Sequence, residues 1–354
     1  MLRADFVPVF VCCFLCLCLD VGLMVPVSAN DANKSTNDSL TTSAAKPNSA
    51  NNSEATDAAS VAGSKDVASA KKPSRPTAPT LRWTQDPSTA KAVILCVHGL
   101  GLHNGSYADF GKRMAKLGFI VYAVDMRGFG SYKDVEGKEH VDFDGCLSDI
   151  KATLKVLHRA HSGLPVFLLG ESMGGAIVMH ATAAYPELVD GTISSVPAGT
   201  RFRQGTTTVK VALHAIEGGL NKEFDVGSGV IKQATEKPEL REAWGNDPLN
   251  RLNLSPRELM LFQSFMDHNH DVAPLIKSTP VLMVQGCKDK LVKPEGTVQL
   301  FNELGTNDRR IQLVQNGEHL IFEENQASDA ALDSLTNWLD LHILAYQARQ
   351  KSPN

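Results

Sequence analysis

LPVFLLGESMGGAIVMH, residues 164–180, begins and ends apolar but is broken in the middle by one hydroxyl, Ser172, fenced by Gly170, Gly174 and Gly175. PVFLLG (165–170) has the length and continuity of a buried strand, and GGAIVMHATAAY (174–185) reads as a helix. A strand that turns this abruptly into a helix crowds the backbone on both sides of the turn residue. Only glycine, with no Cβ, fits there. The serine is forced into a strained conformation with its Oγ at a helix N-terminus, which is the geometry of a nucleophile elbow. A plain glycine-rich turn is the alternative, and the flanking strand and helix argue against it.

Outward from this stretch, KAVILCVHG (91–99) and FIVYAVDMRG (119–128) are apolar, β-rich runs, and GTISSVP (191–197), PVLMVQG (280–286) and RRIQLVQ (309–315) are further strands. Helical spacing alternates with them. Phe110, Met114 and Leu117 share a face in 108–118, and Leu147, Ile150, Leu154 and Leu157 share one in 146–160. Helices are also expected at 295–303 and 328–347. Near-continuous apolar strands alternating with amphipathic helices predict an α/β fold, a mostly parallel sheet covered on both faces. About 80 residues separate Val196 from Pro280. They hold helical patches at 209–220 and 257–268 and no strong strand, so the excursion is a subdomain rather than a loop.

Serine is a poor nucleophile until a base takes its proton and a third group orients that base. In this architecture the order along the chain is serine, acid, histidine, each on a loop after a strand. Asp289 follows PVLMVQG, and His319 follows RRIQLVQ. Of the eleven histidines, only His319 follows a strand downstream of an acid. His98 precedes a glycine turn and could pack there, and His158, His161 and His180 fall on helical patterns as surface or packing residues. His268 and His270, flanking Asn269, look like a polar loop. Asp271 and Asp308 precede their strands, and Glu318 is a weaker rival to Asp289. His98-Gly99-Leu100-Gly101 lies where a loop would offer the Leu100 N–H to a developing oxyanion, with Met173 N–H as the second donor. Gly99, Gly101, Gly105 and Asp125 also mimic a dinucleotide fingerprint. Asn104 occupies the position of its third glycine, and that reading leaves Ser172, Asp289 and His319 unexplained.

HGLGLHNGSYADFGKRMAKLGFIVYAVDMRGFGSY, GESMGGA, VQGCKDKLV and NGEHLIF together resemble the monoacylglycerol lipase and lysophospholipase branch of the α/β-hydrolase superfamily, of serine aminopeptidase S33 type, over about residues 90–345. The resemblance implies an ester hydrolase with Ser172 as nucleophile, Asp289 as acid, His319 as base and no cofactor or metal. It also implies a helical lid at about 198–275 over an acyl pocket and a lipid-like ester substrate, with contact between lid and membrane surface. Two features depart from the family. Only LRWTQDP (81–87) is available for the usual N-terminal hairpin, and Arg127-Gly128-Phe129-Gly130 stands where RG-H-G is usual. Leu213, Ile216, Leu220, Leu259, Met260, Phe262 and Phe265 line an acyl tunnel or, for most of them, form the lid's own small core. An aminopeptidase or amidase, a small-ester esterase, an acyltransferase and a non-catalytic binding module remain alternatives on the same scaffold.

The chain has 354 residues, 43% hydrophobic content and net charge −4. That suffices for a sizeable core and excludes the basic face of a nucleic-acid binder. Residues 1–29 read as a secretory signal peptide, with an apolar run at 6–19 and a small-residue cleavage site at Val27-Ser28-Ala29. An uncleaved anchor is the alternative, although the run is shorter than the roughly 20 residues a span needs. The expectation is an exported protein. Residues 30–80 are a low-complexity tether with too little apolar surface to fold, 81–348 the hydrolase domain, and 349–354 a tail. Cys96, Cys146 and Cys287 remain after the leader and read as free, mostly buried thiols.

Overall fold

The computed structural model of the chain describes residues 78–351, apart from 198, 199 and 203; the expected signal peptide and most of the tether lie outside the described residues. A seven-stranded sheet runs in the order β1 (Thr80–Trp83), β3 (Phe119–Val124), β2 (Ala92–Val97), β4 (Val166–Glu171), β5 (Gly191–Ser195), β8 (Val281–Gly286), β9 (Arg309–Val314). Every pairing is parallel except that of β1, which lies antiparallel on β3 with Thr80 opposite Val124. The described residues already pack ahead of the composition change at Leu81: Ala78 is buried and the Pro79 carbonyl accepts the Asp125 N–H.

The continuous apolar runs are explained by two covered faces. Val93, Leu95 and Val97 pack with α2 (Phe143–Ala160) and α3 (Met173–Ala184), while Ala92, Ile94 and Cys96 pack with α1 (Ala108–Lys116) and α10 (Asp329–Lys351). Each large apolar side chain buried this way contributes about 1.5–3 kcal/mol. Helix α2 begins earlier than its apolar stripe because the Asp142 side chain accepts the Gly145 N–H and caps it. Leu117, expected on the buried face of α1, lies just past the helix end and is exposed. Helix α10 continues to Lys351, into the stretch read as a tail.

The segment between β5 and β8 is helical, with α4 (Gln204–Gly218), α5 (Gly227–Ala234), α6 (Pro238–Asn246), α7 (Pro256–Asp267) and the single turn α8 (Asn269–Val272). A two-residue pair, β6 (Phe224–Asp225) with β7 (Asn253–Leu254), joins it. Arg251 fastens this segment to the sheet's C-terminal edge. Its N–H donates to the Gly101 carbonyl, and its guanidinium reaches the Gly128 and Glu139 carbonyls, Glu223 and the buried Glu258. Helix α9 (Pro294–Glu303) returns the chain to the last strand.

Among the described residues no helix is long and apolar enough to cross a membrane. The three described cysteines are free, Cys96 and Cys146 buried and Cys287 exposed.

Candidate active site

Strand order decides where the site lies. The chain moves from β2 to β3 on one side, then returns to place β4 on the other. The loops leaving β2 and β4 therefore part at a switch point, where open α/β sheets bind ligands. Val97 pairs with Gly170, so the loop beginning at His98 and the turn at Ser172 stand side by side.

Ser172 ends β4 and begins α3 with φ 55° and ψ −113°, a conformation that costs a non-glycine residue about 1–3 kcal/mol. A Cβ on Gly170 would lie 2.2 Å from the Gly174 carbonyl oxygen, and one on Gly174 2.0 Å from that of Val97. Both are closer than any real Cβ contact, so the glycines are steric requirements of the turn. The Ser172 N–H donates to the Ser195 carbonyl at the end of β5, pinning the elbow to the next strand.

Asp289 and His319 come from the loops after the neighbouring strands β8 and β9. Their side chains are buried, and the His319 Nδ1 lies 2.9 Å from Asp289 Oδ2. Asp289 Oδ1 accepts the N–H groups of Leu291 at 2.7 Å and Val292 at 3.0 Å, which fixes the carboxylate. Burial pushes the Asp289 carboxyl up, but His319 and these two N–H groups outweigh it and leave it below the ordinary range. For His319, burial pulls the imidazole down; Asp289, with help from Glu171, outweighs this and holds it above 6.5. The Ser172 hydroxyl hydrogen-bonds to no described residue. A nucleophile–base bond often tightens only with substrate in place.

The Leu100 and Met173 N–H groups donate to no described residue. Met173 opens α3, where the first N–H groups have no helical partner and the helix dipole favours negative charge. The loop that carries Leu100 is closed by a Leu102 N–H to Gly99 carbonyl bond and held from outside by Arg251 on Gly101. An apolar cleft lined by Leu100, Val226, Val230, Trp244 and Leu252 lies between this loop and the helical insertion.

Several alternatives are settled by partners. Asp125 is buried and accepts the Asn104 and Ser131 N–H groups, a structural task rather than a nucleotide-binding one. Glu318 faces the insertion, accepting from the Thr235 hydroxyl and the Glu236 N–H. His98 is buried and held near pKa 4 by burial, and its Nε2 accepts the Met126 N–H. Asn269 is buried on α8, bonded to His180 and the Pro197 carbonyl; His270 lies on α8 and His268 is the single turn residue between α7 and α8, so the expected polar loop is a tight helix–helix junction. Leu259 and Phe262 are buried, but Leu213, Ile216, Leu220 and Met260 are exposed, so these four form neither a tunnel nor a core.

Two residues escaped the sequence reading. Glu171 and Glu323 are fully buried beside the site. The available signal was a carboxylate at the end of an apolar strand and another inside the apolar stretch after His319. Among the described residues no cluster of His, Cys, Asp or Glu converges in the manner of a metal site.

A family model described as serine aminopeptidase, S33, matches residues 88–326. The chain belongs to the S33 serine aminopeptidase family of α/β-hydrolases. The monoacylglycerol lipase of Mycolicibacterium smegmatis is 26% identical over 262 residues, 74% of this chain and 92% of its own length. The human monoglyceride lipase is 26% identical over 265 residues, 73% and 85% of the two chains. The crystal structure of a Paleococcus ferrophilus monoacylglycerol lipase superimposes with a TM-score of 0.62 at 25% identity, over 75% of this chain and 99% of that one. A soluble variant of the Saccharomyces cerevisiae monoglyceride lipase, in complex with a substrate analog, shares the fold with a TM-score of 0.63 at 22% identity, over 74% and 91% of the two chains. The S33 match and these relatives bear out the α/β-hydrolase fold and the resemblance to the monoacylglycerol lipase branch.

Proposed function

We propose that this S33 family member is a serine hydrolase that cleaves carboxylic esters of lipid-like substrates, of monoacylglycerol or lysophospholipid type. The observation that carries the reading is the buried Asp289–His319 hydrogen bond at the ends of β8 and β9, together with a strained serine at the end of β4. His319 takes the Ser172 proton through Nε2 as the hydroxyl attacks the ester carbonyl. Asp289 keeps the other imidazole proton on Nδ1. The free N–H groups of Leu100 and Met173 receive the oxyanion, a contribution of about 2.7–4 kcal/mol per donor. Collapse expels the alcohol, protonated by His319, and leaves an acyl-enzyme. Water, deprotonated by His319, then releases the acid.

The residues lining the cleft beside Leu100 are apolar apart from Arg251 and include no carboxylate. The cleft is too small to hold an acyl chain as it stands, but the lack of a carboxylate in its lining speaks against the ammonium group an aminopeptidase must recognise. Exposed Leu213, Ile216 and Leu220 support contact between the insertion, acting as a lid, and a lipid surface. Residues 1–29, read from sequence as a secretory leader, favour action outside the cytosol. Hydrolysis of 1-monoacylglycerols and lysophosphatidylcholine, measured beside aminoacyl-p-nitroanilides, tests the substrate class. Turnover of the esters alone is expected, and turnover of the anilides alone would overturn the reading.

A further inference from the structure

Glu171 and Glu323 have no part in the reaction above, yet both are fully buried against the loops that carry it. Glu171 is surrounded by donors. Its Oε1 accepts the Ile321 N–H at 2.9 Å and the Ser195 hydroxyl at 2.7 Å, and its Oε2 accepts the N–H groups of Phe322 at 3.0 Å and Glu323 at 2.8 Å. Three amide N–H groups that can only donate, with a hydroxyl free to donate as a fourth, fit a carboxylate.

Glu323 is placed differently. Its oxygens share the Gly99 N–H at 3.2 and 3.1 Å, and its Oε1 lies 2.6 Å from the Ser106 hydroxyl. The same hydroxyl lies 2.8 Å from the His103 carbonyl oxygen. A carbonyl can only accept, and Ser106 has a single hydroxyl proton. With that proton directed to His103, the proton in the 2.6 Å contact belongs to Glu323. An ionised Glu323 would leave Ser106 one proton for two acceptors, whereas a neutral Glu323 that donates to Ser106 and accepts from Gly99 satisfies both contacts.

We propose that Glu171 and Glu323 are positioning residues, one ionised and one neutral, that lock the nucleophile elbow, the oxyanion loop and the loop bearing His319 into one unit. The connections are direct. Glu171 precedes Ser172 and grips three consecutive amides just after His319. Glu323 holds the amide that precedes Leu100. The inference rests on the serine-hydrolase reading and adds what keeps its parts in register. The surrounding ionisable groups favour the same division. Burial and then the Glu171 charge push Glu323 well above its ordinary range, with Glu324 adding to this. Burial raises Glu171 above its ordinary range too, but its Ser195, Glu323, Ile321 and Phe322 donors all pull it back, and Glu323 has no such set of amides. Tyr107 and Cys96, the other ionisable neighbours, are themselves driven up by burial and stay neutral.

The test is steady-state kinetics on a soluble short-chain p-nitrophenyl ester, with fluorophosphonate labelling and thermal melts, on the full chain and two variants. Glu323→Gln preserves both hydrogen bonds, its amide donating to Ser106 and its oxygen accepting from Gly99. It should keep kcat within roughly 3-fold of wild type at pH 7. Glu323→Leu removes both bonds and should lower kcat about 10²-fold, as misplacement of an oxyanion donor does, with little change in KM. Wild type must hold a proton that the unfolded chain releases above the ordinary glutamate value. The melting advantage of Glu323→Gln over wild type should therefore grow as pH rises from about 5 to about 9. Loss of kcat in Glu323→Gln, unchanged kcat in a folded Glu323→Leu, or a melting difference that stays flat with pH would each overturn the inference. If Glu323→Leu does not fold, the glutamine variant and its pH series decide. Absence of labelling in wild type would sink the serine-hydrolase reading itself, and this inference with it. A labelled wild type with a failed glutamine variant sinks the positioning role alone.

Discussion

Replacing Asp289 with asparagine changes one oxygen into an NH₂ group, and the structure dictates which one. Oδ1 faces two backbone donors, Leu291 N–H at 2.7 Å and Val292 N–H at 3.0 Å. Oδ2 faces the His319 Nδ1 at 2.9 Å and the Gln285 amide at 3.3 Å. An NH₂ at the first position would meet two rigid donors and leave them unsatisfied, at about 1–3 kcal/mol each. At the second it meets one long amide contact and an imidazole that can change tautomer. The second orientation wins by roughly the cost of one unsatisfied backbone donor. The NH₂ then donates to a bare Nδ1, and the imidazole proton moves to Nε2. A protonated Nε2 cannot take the Ser172 proton. The loss expected from a wrong tautomer is about 10⁴-fold in kcat, or about 5.5 kcal/mol of transition-state stabilisation. Steady-state ester hydrolysis measures it, and the rate of fluorophosphonate labelling should fall in parallel. A folded Asp289→Asn within about 10-fold of wild-type kcat would refute the argument, because the base would then be oriented by something other than Asp289.

Other consequences follow from the same contacts. Gly174→Ala places a methyl group 2.0 Å from the Val97 carbonyl oxygen, so a melt should show a loss of more than about 3 kcal/mol, while Gly245→Ala, with open space around it, should change stability by less than about 1 kcal/mol. His319 must be neutral to act as base and is held above 6.5, so the acid limb of kcat/KM should have its midpoint above that value. The stability contributed by the same pair runs the opposite way, present below the unfolded histidine value and lost as pH rises through the folded one; an acid limb below 6.5 would contradict both. Ile216 is 81% exposed on α4, so Ile216→Glu should slow hydrolysis of vesicle-borne monoacylglycerol at least several-fold while leaving a soluble short-chain ester unaffected.

What could be read in the chain follows from the range of the forces involved. The strands were legible because β2, β3 and β4 bury both faces, leaving unbroken apolar runs, and the elbow was legible because three glycines answer a local steric demand. Asp289 and His319 could be picked out because each stands just beyond a strand. The insertion was harder to read: α4 carries Leu213 and Ile216 on an exposed surface, so its apolar spacing does not report a core. Least legible were Glu171 and Glu323. Apart from Ser195, their partners lie 150 to 224 residues away along the chain, and a carboxyl within an apolar stretch is only a weak local sign of such a network. Arg251 is hard to read for the same reason, since its partners Gly101, Gly128 and Glu139 lie more than 100 residues away along the chain.

The central claim is that Ser172 is an activated nucleophile, and fluorophosphonate labelling of the full-length protein, wild type beside Ser172→Ala, tests it most directly. The account predicts one covalent adduct, located on Ser172 by peptide mass spectrometry and absent from the variant. Equal labelling of both proteins, or none in a folded wild type, would contradict it.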